Sequence, residues 1–475
     1  MPINSLLYPA NSAVSGGYDV DNSCRFDSAS SADLRISDYS GAGTSRKTRT
    51  YSMWIKRSEL SYAVIFGSSG KDHWVFTAGN KIQINIGSGT DSRRITDMVF
   101  RDVSAWYHIV FAYDTTQGTA SNRFTMWVNG AVATTSIVSG KNEVAQNEDA
   151  NVFINNDTST IASDEDSASY FDGYMAEWVF VDGQKLDADS FGEYDEDSGI
   201  WKPIDVSGIT LGTNGFYLNF QTASDLGIDA GNDNDFEPTN LTAINQTTDT
   251  CTNNFALANP LNVNASNVGT FAFGNTTVKV ANSSGFSFGS SSTIGVSSGK
   301  WYCEAKIITV DATLVGVSAN VAEDARDNYP PGTQGGAQSV GILVSSGNKY
   351  IDDSGTTHGA ALSANDILMI ALDLDNNNVY FGKNGQWFDG SGNADESNPN
   401  SAIAVTAVGS TAEGAYFFSF GDGGGSSKGK VSWNFGNASH AISSGNTDGD
   451  GFGNFEYAVP SGYFALCTKN LAEYG

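Results

Sequence analysis

The stretch Leu368-Met369-Ile370-Ala371-Leu372-Asp373-Leu374-Asp375-Asn376-Asn377-Asn378-Val379-Tyr380-Phe381-Gly382-Lys383-Asn384-Gly385-Gln386-Trp387-Phe388 decides the fold class. An apolar run ends in acids, asparagines turn the chain, a β-branched and aromatic run follows, and Asn384-Gly385 turns it again. Asn-Gly is the strongest short-range hairpin signal, because both residues accept the positive φ of a type I′ turn. The reading is strand, turn, strand, turn, strand: an antiparallel meander. The same order stands earlier, where His108-Ile109-Val110-Phe111-Ala112-Tyr113-Asp114 is followed by a polar turn, Phe124-Thr125-Met126-Trp127-Val128 and Asn129-Gly130. One meander per half predicts an all-β chain of two consecutive antiparallel β-sandwiches.

Working outward from the first meander, Thr50–Ile55 alternates cleanly, and Ala63–Phe66, Trp74–Thr77, Ile82–Ile86 and Met175–Val181 also read as strands. They predict a first sandwich over residues 20–190, preceded by an N-terminal arm, 1–19. From 191 to 265 the chain turns acidic and loop-like around one strand, Gly215–Phe220, and reads as a partly structured connector. The second sandwich is expected over 266–475. With 53 Gly, 9 Pro and 40% hydrophobic residues, the 475-residue chain has the turns and the apolar mass for this plan.

Fifty-three acids against 25 bases give a formal charge of −28. That argues against nucleic acid or an anionic membrane as partner. No segment approaches the roughly 20 apolar residues of a membrane span, and Met1–Pro9 lacks the basic and apolar regions of a signal peptide, so a chain made in the cytoplasm is expected. Cys24, Cys251, Cys303 and Cys467 form no CxxC unit. They read as buried free thiols rather than as a zinc site.

The residues also carry resemblances. Ser52-Met53-Trp54-Ile55, Trp106–Val110, Met126–Gly130 and Phe171–Glu177, with Cys24–Asp27 and Leu34–Ile36 upstream, resemble the successive signatures of laminin-G/concanavalin A-like domains. Lys300-Trp301-Tyr302-Cys303-Glu304, Val315-Gly316-Val317, Asp366–Asp373, Phe381–Gly385 and Val431–Gly436 resemble a SPRY domain. Both resemblances imply concanavalin-like jelly rolls. The tandem order, the acidic, turn-rich character and the ending Pro460–Leu471 are similar to structural proteins of marine tailed bacteriophages.

Little of the sequence reads as catalytic. Glu193-Tyr194-Asp195-Glu196-Asp197 sets three acids at strand period, as in laminarinase-like enzymes, but without apolar alternation and with Asp where Glu is expected; it reads as a solvated loop. His73, His108, His358 and His440 are isolated. Gly421–Gly425 contains an acid and no following Lys-Ser/Thr, so it is a turn and not a phosphate loop. No cofactor is expected. Calcium is the one metal kept open, at Asp373 and Asp375 or at Asp164-Glu165-Asp166, although an Asp-Asn turn has its own structural reason. The candidate ligand-binding residues are Asn328 and Tyr329, in a loop of the second half, and Trp387, just past an Asn-Gly turn.

The expectation is a non-enzymatic virion protein: a tail or head fibre, an appendage or a decoration protein. It would associate with itself, in a trimer for instance, and with other virion proteins, and would adhere to host-surface glycan or protein. A free carbohydrate-binding lectin and a glycoside hydrolase on the same fold are the alternatives.

Overall fold

The computed structural model describes residues 17–37, 39, 41, 43–68, 72–86, 92–164, 169–281 and 284–475. The chain is all-β: antiparallel sheets dominate, and the α-helices among the described residues are two seven-residue pieces, α1 (Val321–Asp327) and α2 (Thr468–Tyr474). Two compact units divide it, one ending at Asn253 and one beginning at Asn254. Most of the expected arm, residues 1–16, lies outside the described residues, as do Glu165 and Asp166.

In the N-terminal unit the strands are β1 Ser23–Phe26, β2 Asp33–Ile36, β3 Thr48–Arg57, β4 Ala63–Ser68, β5 His73–Phe76, β6 Ile82–Ile86, β7 Ser92–Thr96, β8 Tyr107–Asp114, β9 Phe124–Val128, β10 Ala131–Val132, β11 Thr135–Ile137, β12 Ser159–Ile161, β13 Gly173–Asp182, β14 Gly192–Tyr194, β15 Trp201–Pro203, β16 Phe216–Leu218, β17 Glu237–Thr239 and β18 Gln246–Thr247. One sheet runs β10-β9-β8-β3-β13-β1-β18, with β16 also on β13; the other runs β11-β7-β6-β5-β4-β12-β2-β17. The core between them takes alternate residues: Tyr51, Met53 and Ile55 of β3 and Ile109, Phe111 and Tyr113 of β8 face Phe66, Trp74, Ile82 and Ile84.

The expected connector is corrected here. Residues 191–253 complete the first sandwich, because β16, β17 and β18 pair with β13, β2 and β1. The rest of that segment roofs the outer face of the meander sheet, so Trp54, Lys56, Trp106 and His108 are all buried. Residues 254–265 belong to the C-terminal unit. The strand read around Phe216 is β16; β17 and β18, of three and two residues, carry too little period to be read in advance.

The C-terminal unit repeats the plan. Its meander is Ile367–Asp373, Asn378–Lys383 and Gln386–Phe388, set against the ten-residue strand Lys300–Thr309 as β8 is set against β3. The two Asn-Gly turns match in detail. Asn129 and Gly130 have φ 47° and 77°, and Asn384 and Gly385 have 49° and 87°. Each Asn side-chain oxygen accepts a backbone N–H, from His108 or from Ile367, at 2.8 Å. Each glycine also lies under an aromatic ring of the roofing segment: a Cβ would stand 2.3 Å from Trp201 at Gly130 and 2.9 Å from Tyr457 at Gly385. In this unit the roof is drawn from 437–467, and Phe455, Tyr463 and Ala465 pack on Tyr302 and Met369 in a second apolar layer.

Candidate functional site

The outer face of the second sheet of the N-terminal unit carries a polar row. Direct cross-strand neighbours are Glu237 and Arg35, Arg35 and Thr160, Thr160 and Gly67, Gly67 and His73, His73 and Asn85, and Asn85 and Arg93. Facing residues in a ladder share one face, so six strands and the edge strand β17 contribute to one line. The adjacent positions Leu34, Ile161, Phe66, Trp74 and Ile84 point into the core. Period two produces this: in Ile82-Gln83-Ile84-Asn85-Ile86 the isoleucines go in and the amides go out.

Within the row, Asn85 Nδ2 lies 2.6 Å from His73 Nε2, and Gln83 donates to Asn85 at 3.3 Å. Arg35 forms a two-pronged ion pair with Asp33, at 3.0 and 2.7 Å, and Ser163 donates to the same carboxylate. Gly67 is buried where no side chain fits: a Cβ there would meet His73 Cβ at 2.7 Å and Asp72 O at 3.0 Å. Tyr62, 45% exposed, stands nearby. Burial and the Asp164 carboxylate push its hydroxyl pKa up, while Arg93 pulls it down. Thr160 and Asn85 are buried within the row, so its accessible groups are Arg35, His73 and Arg93, with the Tyr62 phenol just before β4; guanidinium, imidazole and phenol together suit a hydroxyl-rich ligand held by hydrogen bonds and ring contact. The cue was present in the alternation of Gln83 and Asn85, but the cross-strand register that aligns seven segments is not written in any one of them.

Several titratable groups elsewhere among the described residues are buried and hydrogen-bonded. Under the roof, Trp201 Nε1 donates to His108 Nδ1 at 2.9 Å, which leaves Nε2 to carry the proton toward Ser52 Oγ at 2.9 Å. That tautomer cannot take a proton from the serine, and burial lowers the His108 pKa to about 3. Lys56 and Asp249 form a buried ion pair at 2.6 Å, and Trp106 Nε1 donates to the other carboxylate oxygen at 3.1 Å. Glu177 sits at a bulge in β13 with φ 48° and takes hydrogen bonds from Tyr217 (2.7 Å) and Tyr18 (3.3 Å). Burial pushes its pKa up to about 7 despite them. In the C-terminal unit, buried Glu304 accepts from Tyr302, Asn434 and the backbone N–H groups of Glu456 and Tyr457.

The sequence candidates fall apart from one another. Trp387 is 3% exposed and packs in the second apolar layer beside Tyr302, so the expectation of a ligand-facing indole is corrected: the turn aims it under the roof. Asn328 caps α1 with φ 65°, accepting from Phe288 N and donating to Phe286 O. Tyr329 is half-buried, its ring 5.3 Å from Phe286. Asp373 is paired with Lys300 at 2.9 Å and bonded by Asn376, and Asp375 accepts from Gly299 N. The ammonium beside them opposes a second cation. Among the described residues no three His, Cys, Asp or Glu side chains gather as a metal site. Glu193 and Asp195 share Lys202, and Asp195 accepts two backbone N–H groups of its own turn. All four cysteines are buried thiols that form no disulfide, and among the described residues no helix is long and apolar enough to cross a membrane.

Residues 28–189 match the family described as the Concanavalin A-like lectin/glucanases superfamily. That stretch is concanavalin-like. Among solved structures, the chain is similar to a Bacteroides ovatus protein described as a candidate carbohydrate binder, at 14% identity and TM-score 0.32, over 47% of this chain and 61% of that one. It therefore spans about three fifths of that protein's length. It is also similar to the heptameric pentraxin of Limulus polyphemus, at 13% identity and TM-score 0.25, over 36% of this chain and 80% of that one. The SPRY domain of human HERC1 matches at 18% identity and TM-score 0.23, over 33% and 87%. No curated protein matches.

Proposed function

We propose that this chain is a non-enzymatic recognition protein of a tailed-phage virion, and that its N-terminal sandwich holds a host-surface glycan. The observation that carries the reading is the row Arg35–Thr160–Gly67–His73–Asn85–Arg93 on the outer face of the second sheet, with Tyr62 beside it. The match of residues 28–189 to a superfamily named for lectins and glucanases supports a sugar as the ligand. The non-enzymatic part rests on how His108, Glu177, Glu304 and Asp249 are each enclosed and bonded away from solvent. The virion setting rests on the tandem order and the acidic, turn-rich composition, and the chain would act there as a homo-oligomer.

A glycan array probed with the whole chain tests the site. Binding is expected, and His73→Ala with Arg93→Ala should weaken it at least about tenfold, the size expected for losing two hydrogen-bonding groups. Tyr329→Ala should leave it unchanged. Binding that ignores the double variant overturns the site, and release of reducing ends from a bound glycan overturns the non-enzymatic reading. Labelling of purified particles with an antibody to the chain, read by electron microscopy, tests the setting.

A further inference from the structure

Lys56 and Asp249 bring together two distant parts of the N-terminal unit. Lys56 stands in β3, between β8 and β13, and Asp249 follows β18, close to Asn253 where the unit ends. Lys56 Nζ lies 2.6 Å from Asp249 Oδ2, and both side chains are 0% exposed. Trp106 Nε1 donates to Oδ1 at 3.1 Å, and Ser23 Oγ donates to the Asp249 backbone carbonyl at 2.6 Å, so the acid is held at side chain and main chain alike. The Lys56 nitrogen lies 4.8 Å from the Tyr174 ring centre and 5.7 Å from that of Trp106. A second buried cation, Arg25, sits 5.5 Å from the same Tyr174 ring. Burial pulls the Lys56 ammonium below its ordinary range and Arg25 adds to this; the carboxylates of Asp249 and Asp102 oppose the shift without reversing it.

Taking two charges out of water is costly, and their mutual attraction repays it only in part. With one proton passed from Nζ to Oδ2, the pair becomes a neutral amine against a neutral carboxyl. The amine then stands one bond from the carboxyl carbon, the placement that an amide condensation needs. The Trp106 N–H points at Oδ1, where negative charge builds as that carbon becomes tetrahedral. We propose that Lys56 and Asp249 join in an intramolecular isopeptide bond. The Nζ lone pair forms the bond to Asp249 Cγ, the Cγ–Oδ2 bond breaks, and a second Nζ proton goes to Oδ2, which leaves as water. Nothing is oxidised or reduced, and ammonium plus carboxylate supply every atom of the amide and the water. The product is uncharged, keeps Oδ1 as acceptor for Trp106 and removes the like charge beside Arg25. It ties β3 to the end of the unit across 193 positions, a loop long enough to restrict the unfolded chain strongly. The reaction happens once per chain and involves no turnover.

Intact-mass spectrometry of the whole chain, purified folded and then denatured, tests this. The wild type is expected at one water below the mass of its sequence. A protease digest should contain a branched peptide joining the segments around Lys56 and Asp249. Lys56→Arg keeps the positive charge but offers no such amine, and should return the full mass, as should Asp249→Ala. Wild type at full mass after long incubation at neutral pH overturns the proposal. So does a digest in which Lys56 and Asp249 leave in separate linear peptides, wherever else a water has been lost. Both decisive readings are made on the wild type, so a variant that fails to fold does not blunt them.

Discussion

Glu177 holds left-handed backbone, φ 48°, at a bulge in the middle of a buried strand, with its carboxyl between two tyrosines. Its acid form is favoured by burial, so its pKa rises from 4.5 to about 7. The stability that this proton brings is complete below about pH 4.5 and is lost as pH rises through 7. Glu177→Gln should therefore lose less stability than wild type between pH 5 and pH 8, by up to about 3 kcal/mol. Urea melts of both proteins at the two pH values would check it; parallel losses would mean that the carboxyl is solvated. His108 works in the opposite sense. Its pKa falls from 6.5 to about 3, so its contribution is complete above about 6.5 and fades as pH falls toward 3. His108→Gln should flatten the acid side of the stability profile by about 1–3 kcal/mol between pH 7 and pH 4, measured in the same way. Neither behaviour is legible in the sequence. Glu177 and His108 stand in strands whose flanking residues say buried, but the partners Tyr217 and Trp201 lie 40 and 93 positions away.

At the scale of the element, the Asn-Gly hairpins were the most legible part of the chain, because both their conformation and their pairing are local. Their second constraint was not. Gly130 and Gly385 need a positive φ and must also leave room for Trp201 and Tyr457. Alanine at either site meets a left-handed penalty of about 1–2 kcal/mol and also displaces a ring. Gly130→Ala is expected to be the more damaging, since its Cβ would stand 2.3 Å from the indole against 2.9 Å at Gly385. Chemical denaturation of the two variants would rank them, and equal losses would mean that the rings are free to move. The polar row shows the same division between local and distant information. Each strand declares which residues face outward, yet only the assembled register makes Arg35, His73 and Arg93 neighbours in a line. Trp387 misled for the complementary reason: residues after a tight turn alternate in and out, and its face is decided by a roof 60 to 80 positions later.

For the whole molecule, the repeated meander correctly foretold two sandwiches, while the boundary between them was missed. Of the short strands in residues 191–253 only the one at Phe216 announced itself, yet β16, β17 and β18 supply partners to β13, β2 and β1, and the segment buries Asp249 against Lys56. A fragment ending at residue 190 should consequently fail to fold, leaving the outer face of its meander sheet bare, whereas one ending at Asn253 should give a cooperative melt. Dispersed proton spectra from the shorter fragment would contradict this. Roofing also has a kinetic side. A sheet covered on both faces shows its amides to water only when one cover lifts, so β3, β8 and β13, and Lys300–Thr309 with Ile367–Asp373, should be the last to take up deuterium. The sheet that carries the polar row has no such roof over Arg35, His73 and Arg93, which are part-exposed, and should label sooner. Exchange would then sort each unit into a slow sheet covered on both faces and a quicker one covered on a single face.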